Sequence, residues 1–184
     1  EDDFFTLSDS LTYLIKNHLE ISALEHDVHD EIQLYANTES SEAYLYFSKG
    51  MNIFWSGDMA SASHFFETAL GIDSDFFKAE IFLVISYINR GMFIQARQLT
   101  EKEFNQIDNY PYADQLMIKY WKSFFNEDKM ERIEYLNIML KENPLQQSAW
   151  YQLGLDYLIV AQYRDAIEAY EMALEIDRKW GGGW

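Results

Sequence analysis

A constant step between small residues is the feature that most constrains how this chain folds. The step from Gly57 to Gly91 is the same as the step from Ala62 to Ala96. A repeat of this length, about 34 residues, is one supersecondary unit, which cannot bury its apolar face alone and must stack on its neighbours. The sequence therefore predicts an array of similar units.

Each unit reads as a pair of helices. Apolar residues recur at helical spacing over two stretches of about 13 residues, with a short turn between them. Gly57 and Gly91 stand where the first helix of a unit must end, and glycine tolerates the left-handed conformation that closes a helix. Only two prolines occur, and strand-like alternation is absent. These observations predict an all-α fold.

The last unit carries a specific spacing of large and small residues: Trp150, Leu153, Gly154, Tyr157, Ala166, Tyr170 and Ala173. This spacing resembles that of the tetratricopeptide repeat (TPR), with Tyr170 where the family usually has phenylalanine. The resemblance implies a right-handed TPR-type superhelix of stacked antiparallel helix pairs, and a role in binding other proteins rather than in catalysis.

The repeat step also predicts the domain boundaries. They are residues 43–76 for the first repeat, 77–112 and 113–146 for two degenerate repeats, 147–180 for the fourth, and 181–184 for the start of a truncated fifth. The fifth is inferred because Trp184 follows Trp150 by the same step. In the third repeat Arg132 and Met139 occupy the two alanine positions, so we expect looser helix packing there.

Residues 1–42 form a different, acidic segment with 11 acidic residues and one basic residue. Leu7, Leu11, Leu14 and Ile15 predict one helical face, and a second helix is predicted over residues 24–35. The segment is interpreted as a possible capping repeat. Residues 4–11 and 41–44 are also similar to the junction at which a TolB-like domain leads into TPRs in bacterial multidomain signalling proteins. That resemblance implies the regulatory arm of a larger protein.

Composition excludes several classes of partner. The formal net charge of −17 argues against binding nucleic acid or anionic lipid, since both are polyanions. No apolar run is long enough to span a bilayer, so membrane insertion is not expected. The absence of cysteine fits a reducing compartment. We interpret the chain as part of a longer cytoplasmic protein.

The sequence offers no catalytic or cofactor motif. No nucleophile elbow, Walker loop or dinucleotide-binding loop occurs. His26 and His29 lie three positions apart among carboxylates, a spacing that zinc sites use, but a solvated acidic helix face explains it as well. We therefore expect no enzyme activity, no cofactor and no metal site.

The positions that hold a partner's terminal carboxylate in many TPR proteins carry the wrong chemistry here. The matching residues are Phe47, Met51, Phe82, Asp114 and Ile118. None of them donates a hydrogen bond to a carboxylate, and Asp114 repels one. A carboxylate-clamp adaptor is therefore disfavoured.

Instead, the first helices of the four repeats carry an apolar row with a four-then-three spacing. Its twelve members, called the groove row below, are Phe47, Met51, Phe54, Ile81, Ile85, Ile88, Met117, Trp121, Phe124, Tyr151, Leu155 and Leu158. The resemblance assigns these positions to a concave groove, opposite the face that carries Tyr46, Gly50 and Ile53.

Four interpretations of the groove row stay open. It is covered by the protein's own chain, it binds a partner helix or apolar peptide, it mediates self-association, or it holds a small apolar ligand. If it binds a protein, we expect Phe54, Ile85, Trp121 and Phe124 to be its anchors, and the partner to carry an apolar stripe flanked by basic residues.

Overall fold

The computed structural model describes residues 13–22 and 38–180, with side chains through residue 176. No strand occurs in this part of the chain, so the predicted all-α fold is confirmed. The helices are α1 (residues 13–22), α2 (Ser41–Trp55), α3 (Met59–Ile72), α4 (Phe77–Asn89), α5 (Phe93–Phe104), α6 (Tyr112–Phe125), α7 (Lys129–Glu142), α8 (Gln147–Ile159) and α9 (Tyr163–Trp180). A short 3₁₀ turn, Ile107–Asn109, precedes α6.

Several sequence predictions fall on residues outside this described part. They are the TolB-like segment at residues 4–11, the predicted helix over residues 24–35 with His26 and His29, and the start of a fifth repeat at residues 181–184.

The turns inside the four helix pairs all have the same backbone conformation. Gly57 and Gly91 have φ angles of +89° and +73°, and Glu127 and Ala161 take the same left-handed conformation at +59° and +62°. The four positions follow the repeat step of the sequence, lengthened slightly between Gly91 and Glu127. Two pairs therefore hold a non-glycine residue in a conformation that costs side chains with a Cβ about 1–2 kcal/mol.

Reciprocal substitutions at this turn should have opposite effects. Ala161→Gly is expected to raise the free energy of unfolding by about 1 kcal/mol, because glycine adopts the left-handed conformation without strain. Gly57→Ala is expected to lower it by a similar amount. Urea denaturation measures both changes; a loss of stability in Ala161→Gly would contradict the interpretation.

Three of the described helices are capped at their N-terminus by an acidic or hydroxyl side chain. Ser40, Asp58 and Asp128 each accept a hydrogen bond from the backbone N–H three positions later, at 3.0–3.2 Å. Such a cap satisfies one of the free amide groups at a helix start. The Ser61 hydroxyl also donates to Asp58, at 2.6 Å, and this hydrogen bond, followed by the one from the Ser61 backbone N–H, holds the pKa of Asp58 below its usual value.

The chain forms two compact units, residues 1–99 and residues 100–184. In the first unit α2, α3 and α4 enclose an aromatic core. A Cβ atom added to Gly50 on α2 would lie 2.6 Å from a ring carbon of Phe66 on α3. Glycine therefore lets these two helices approach closely enough for the phenylalanine ring to lie on the α2 backbone.

Helix α4 packs into the groove between α2 and α3. The ring of Phe82 on α4 lies 5.9 Å from that of Phe47 and 5.4 Å from that of Phe54, both on α2. It also lies 5.9 Å from the ring of Phe66 on α3. One side chain from the third helix thus contacts both helices of the preceding pair.

Helix α1 packs on the core through only a few of its residues. Leu14 and Ile15 are 43% and 52% exposed, whereas Asn17 and Ile21 are buried. Ile21 belongs to the core of the first unit, and Ser41 donates a hydrogen bond of 2.9 Å to the side chain of Asn17. Leu14 and Ile15, with which the sequence marked a helical face, are therefore exposed on the described part of α1, and Asn17 and Ile21 make its buried contacts instead.

The second unit contains α6 to α9. Tyr170 on α9 covers Gly154 on α8, where an added Cβ would lie 2.7 Å from the ring. Arg132 and Met139, the two large residues at alanine positions, are both buried. The Arg132 guanidinium forms an ion pair with Asp156 of α8. The packing between α6 and α7 is less extensive than that between α2 and α3 or between α8 and α9, in line with the looser packing expected of the third repeat.

Candidate functional site

The three groove-row residues of α2 lie in the core of the first unit. Phe47 and Met51 are completely buried, and Phe54 is 9% exposed. Phe47 also packs against the ring of Phe76, with 5.0 Å between the centroids. A partner cannot reach these side chains in this conformation. On α2, coverage by the protein's own chain is therefore the interpretation that fits.

The groove-row residues of α4 and α6 are half-buried. On α4 these are Ile81, Ile85 and Ile88, and Ile85 packs against the core of the first unit. On α6 they are Met117, Trp121 and Phe124. Part of each side chain therefore contributes to its unit's packing and part remains open to solvent.

Trp121 is an aromatic of the α6 row that also belongs to the packing of its unit. Its ring makes edge contacts with Tyr120 and Phe124, at 5.0 Å and 5.7 Å between centroids. Its indole Nε1 is buried and has no hydrogen-bond partner. Removing this side chain would thus disturb the core of the second unit as well as any partner contact.

The groove-row residues of α8 are the most exposed. Tyr151 is 56% exposed and Leu158 is 48% exposed, while Leu155 is half-buried. Tyr151 and Leu158 occupy the repeat positions of Phe47 and Phe54, three repeats further along the chain. The same repeat position is therefore core in the first pair and surface in the last.

Helix α9 adds an apolar stripe that the sequence interpretation missed. Tyr163, Ile167 and Leu174 are 62%, 58% and 55% exposed. The half-buried Tyr170 completes their i, i+4, i+7, i+11 spacing and places its ring 5.6 Å from that of Tyr151. That spacing is visible in the sequence. It was overlooked because the neighbouring alanines of α9 already defined a packed face.

The α8 and α9 residues together define one surface. The ring contact between Tyr151 and Tyr170 joins the exposed face of α8 to the stripe of α9. We call this surface the α8/α9 groove; its members are Tyr151, Leu158, Tyr163, Ile167, Tyr170 and Leu174. Large apolar side chains exposed together in this way are typical of sites that bind other proteins.

Behind the α6 row lies a buried polar cluster. Arg132 and Asp156 are 6% and 0% exposed, and the guanidinium carbon of Arg132 lies 5.3 Å from the centre of the Phe124 ring. Burial raises the pKa of Asp156 and outweighs the opposing effect of Arg132. Burial also raises the pKa of the Tyr120 hydroxyl, with a further contribution from Asp156. The cluster is closed to solvent and suits a structural role.

The described residues offer neither a metal site nor a membrane-spanning helix. No group of three or more histidine, aspartate and glutamate side chains there is arranged to hold a metal ion. None of the described helices combines the length and apolar character needed to span a bilayer.

Among comparisons with known proteins, a family model matches the last helix pair. The family model of the tetratricopeptide repeat matches residues 148–179, which is the α8–α9 pair almost end to end. This match supports the resemblance inferred from Trp150, Gly154 and Ala166. No curated protein matches the chain.

Solved structures of MamA are similar to the chain at low identity. A MamA mutant has 16% identity and a TM-score of 0.48, covering 73% of this chain and 77% of its own. A MamA RS-1 double mutant has 13% identity and a TM-score of 0.45, covering 97% and 94%. MamA MSR-1 has 16% identity and a TM-score of 0.44, covering 92% and 97%. At these values the likeness carries no conclusion about function.

Proposed function

We propose that this chain is a protein-interaction scaffold whose second unit binds a partner polypeptide. The exposure of Tyr151 and Leu158 is the observation that carries the proposal, since the same repeat positions on α2 are buried. Interfaces of this kind obtain most of their binding energy from a few large apolar side chains, and tyrosine is enriched among them.

We further propose that the four helix pairs are four repeats of one array, with residues 43–76, 77–112, 113–146 and 147–180 as the units. The four left-handed turn residues, one in each unit and at matching positions, support this division. The match of the family model to the last pair supports it for that unit.

The context of the scaffold is proposed from the N-terminal resemblance. Residues 4–11 and 41–44 are similar to the sequence that joins a TolB-like domain to TPRs. We propose on that basis that the array is the regulatory arm of a larger cytoplasmic signalling protein. Coupling an interaction array to a signalling domain lets partner binding bias the activity of that domain.

Affinity capture with matched baits tests the binding function. The wild-type chain and the Tyr151→Ala variant are each immobilised, and retained proteins are identified by mass spectrometry. Ile94→Ala on α5 is the control, because Ile94 is 73% exposed and lies outside the groove row. We expect a partner whose affinity falls about tenfold or more in Tyr151→Ala and changes less than about twofold in Ile94→Ala.

Calorimetry on the purified partner gives these affinities. A partner that binds all three baits equally well would contradict the assignment of α8 to the binding surface. Circular dichroism establishes that each variant keeps the helix content of the wild type.

A further inference from the structure

We propose that Glu103, Gln106 and Tyr110 form a side-chain latch on the link between α5 and α6, and that the link opens when the Tyr110 hydroxyl leaves Glu103. The link comprises residues 105–111. All three residues of the latch belong to the second unit, and none of them is part of the α8/α9 groove.

The α5–α6 link is longer than the α3–α4 and α7–α8 links, and its turn is closed differently. In the α3–α4 link the side chain of Asp73 accepts a hydrogen bond of 3.1 Å from the backbone N–H of Asp75. In the α7–α8 link Asn143 accepts one of 3.3 Å from the backbone N–H of Leu145. The matching residue of the α5–α6 link is Ile107, whose hydrocarbon side chain cannot accept a hydrogen bond. A different contact is therefore needed to hold this link.

A buried carboxylate lies just before the link, at a position where the first repeat has alanine. Glu103 has the repeat position of Ala69, and the two residues are 2% and 0% exposed. Burying a carboxylate is unfavourable unless donors surround it. Tyr110 Oη and Gln106 Nε2 both donate to Glu103 Oε2, the latter at 2.8 Å, and Lys102 Nζ lies 2.9 Å from Oε1. The link thus supplies two of the donors that this carboxylate needs.

The tyrosine of the link matches the carboxylate. Tyr110 has the repeat position of Phe76, which is fully buried in the same core as Ala69. The first repeat therefore has alanine and phenylalanine where the second has glutamate and tyrosine. The hydroxyl that distinguishes tyrosine from phenylalanine is the group that donates to Glu103. We infer that the two differences belong together as one polar contact.

Tyr110 also joins the two helices that the link connects. Its hydroxyl bonds to Glu103 near the end of α5, and Gln106 Nε2 donates to that hydroxyl at 2.9 Å. Its backbone carbonyl accepts a hydrogen bond of 2.8 Å from Gln115 Nε2 on α6. Loss of the hydroxyl contact therefore frees the link from α5, while Gln115 still holds it to α6.

The polar character of the latch makes local opening inexpensive. Tyr110 is half-buried and Gln106 is exposed, so water can replace their hydrogen bonds when the link opens. Protein hydrogen bonds that exchange with bonds to water add little net stability, whereas exposing a buried phenylalanine such as Phe76 costs apolar burial. Regions held mainly by accessible hydrogen bonds open without unfolding of the whole chain.

Hydrogen exchange of the whole chain, followed by mass spectrometry, tests the latch. Tyr110→Phe removes the donating hydroxyl and keeps the ring. Amides of residues 105–110, which include the backbone donors of Asn109 and Tyr110, should exchange about tenfold faster or more in this variant. Amides of α2 and α3 should change by less than about twofold. Tyr112→Phe is the matched control, because Tyr112 is 58% exposed; it should leave exchange in the link unchanged.

A double-mutant cycle tests whether Glu103 and Tyr110 act together. Glu103→Ala combined with Tyr110→Phe recreates the residue pair of the first repeat. The link of this double variant should exchange more slowly than that of Tyr110→Phe alone, because no buried carboxylate has lost its donor. Asp108→Asn is the charge control, since it removes an exposed carboxylate from the same link.

Three results would overturn the inference. The first is unchanged exchange of the link in Tyr110→Phe, which would mean that the hydroxyl does not hold it. The second is an equal rise throughout the chain, which would mean that Tyr110 supports global stability and not a local closure. The third is additive effects in the cycle, which would mean that the two side chains contribute independently. Circular dichroism establishes the helix content of every variant.

Discussion

Replacing Phe47 with alanine is expected to lower the free energy of unfolding by about 3–5 kcal/mol, because it opens a cavity among buried aromatic rings. Tyr151→Ala, at the same repeat position of the last pair, is expected to cost about 1 kcal/mol, because the main described contact of this side chain is the ring of Tyr170. More than half of the Tyr151 side chain is exposed. Urea denaturation of the two variants measures the difference.

Comparing Phe47→Ala with Tyr151→Ala shows whether this repeat position is core or surface in each helix pair, which the sequence alone does not show. Similar losses in both variants would mean that Tyr151 is also a core residue, and α8 would be withdrawn as a binding surface. A small loss in Phe47→Ala would mean instead that the first pair is not packed as described. Ile94→Ala, at a 73% exposed position, sets the baseline for a surface truncation.

Asp156→Ala is expected to destabilise the chain by about 3–5 kcal/mol, because it leaves the guanidinium of Arg132 buried without its partner. The effect should not be additive with Arg132→Met. Replacing both residues, Arg132→Met with Asp156→Leu, is expected to recover most of the loss, since a well-packed apolar pair often matches a buried ion pair in stability. Thermal and urea unfolding of Arg132→Met, Asp156→Leu and the double variant form the required cycle, and Asp156→Ala is measured beside them.

A double variant as unstable as Asp156→Ala alone would contradict this account. It would mean that Arg132 contributes mainly through its contact with the Phe124 ring, which lies 5.3 Å away. Asp165→Ala on α9 is a suitable control, because it removes a carboxylate that is only half-buried.

The two predictions address different parts of the sequence interpretation. The twelve residues of the groove row form one apolar pattern in the sequence, but in the structure they divide into buried residues on α2, half-buried residues on α4 and α6, and largely exposed residues on α8. Spacing alone places each set of three on one face of its own helix. It does not show whether another helix lies on that face.

Arg132 shows that the sequence also fails to reveal which charged residues pair with each other. The sequence showed a large charged residue at an alanine position and predicted looser packing in the third repeat, but it did not identify the partner of that residue. Its partner, Asp156, lies on the next helix and is completely buried there. No local pattern links the two, because a charge pair between helices depends on their rotation and distance.

The apolar stripe of α9 can be recognised in the sequence, since its four residues have helical spacing: Tyr163, Ile167, Tyr170 and Leu174. What the sequence could not supply is its exposure. Ile133 and Leu140, the residues of α7 equivalent to Ile167 and Leu174, are identical in type and are buried. Only the packing of neighbouring helices distinguishes the two.

The sequence by itself determined the helical fold, the glycine turns of the first two helix pairs and the spacing that the tetratricopeptide repeat model matches over residues 148–179. These depend on spacing, small residues and turn residues, which are local properties that a chain carries wherever it lies. The tertiary structure alone decided that Phe47 is core and Tyr151 is surface, and that Arg132 pairs with Asp156. Burial and charge pairing depend on how the neighbouring helices pack against one another, and no local pattern in the sequence records that packing.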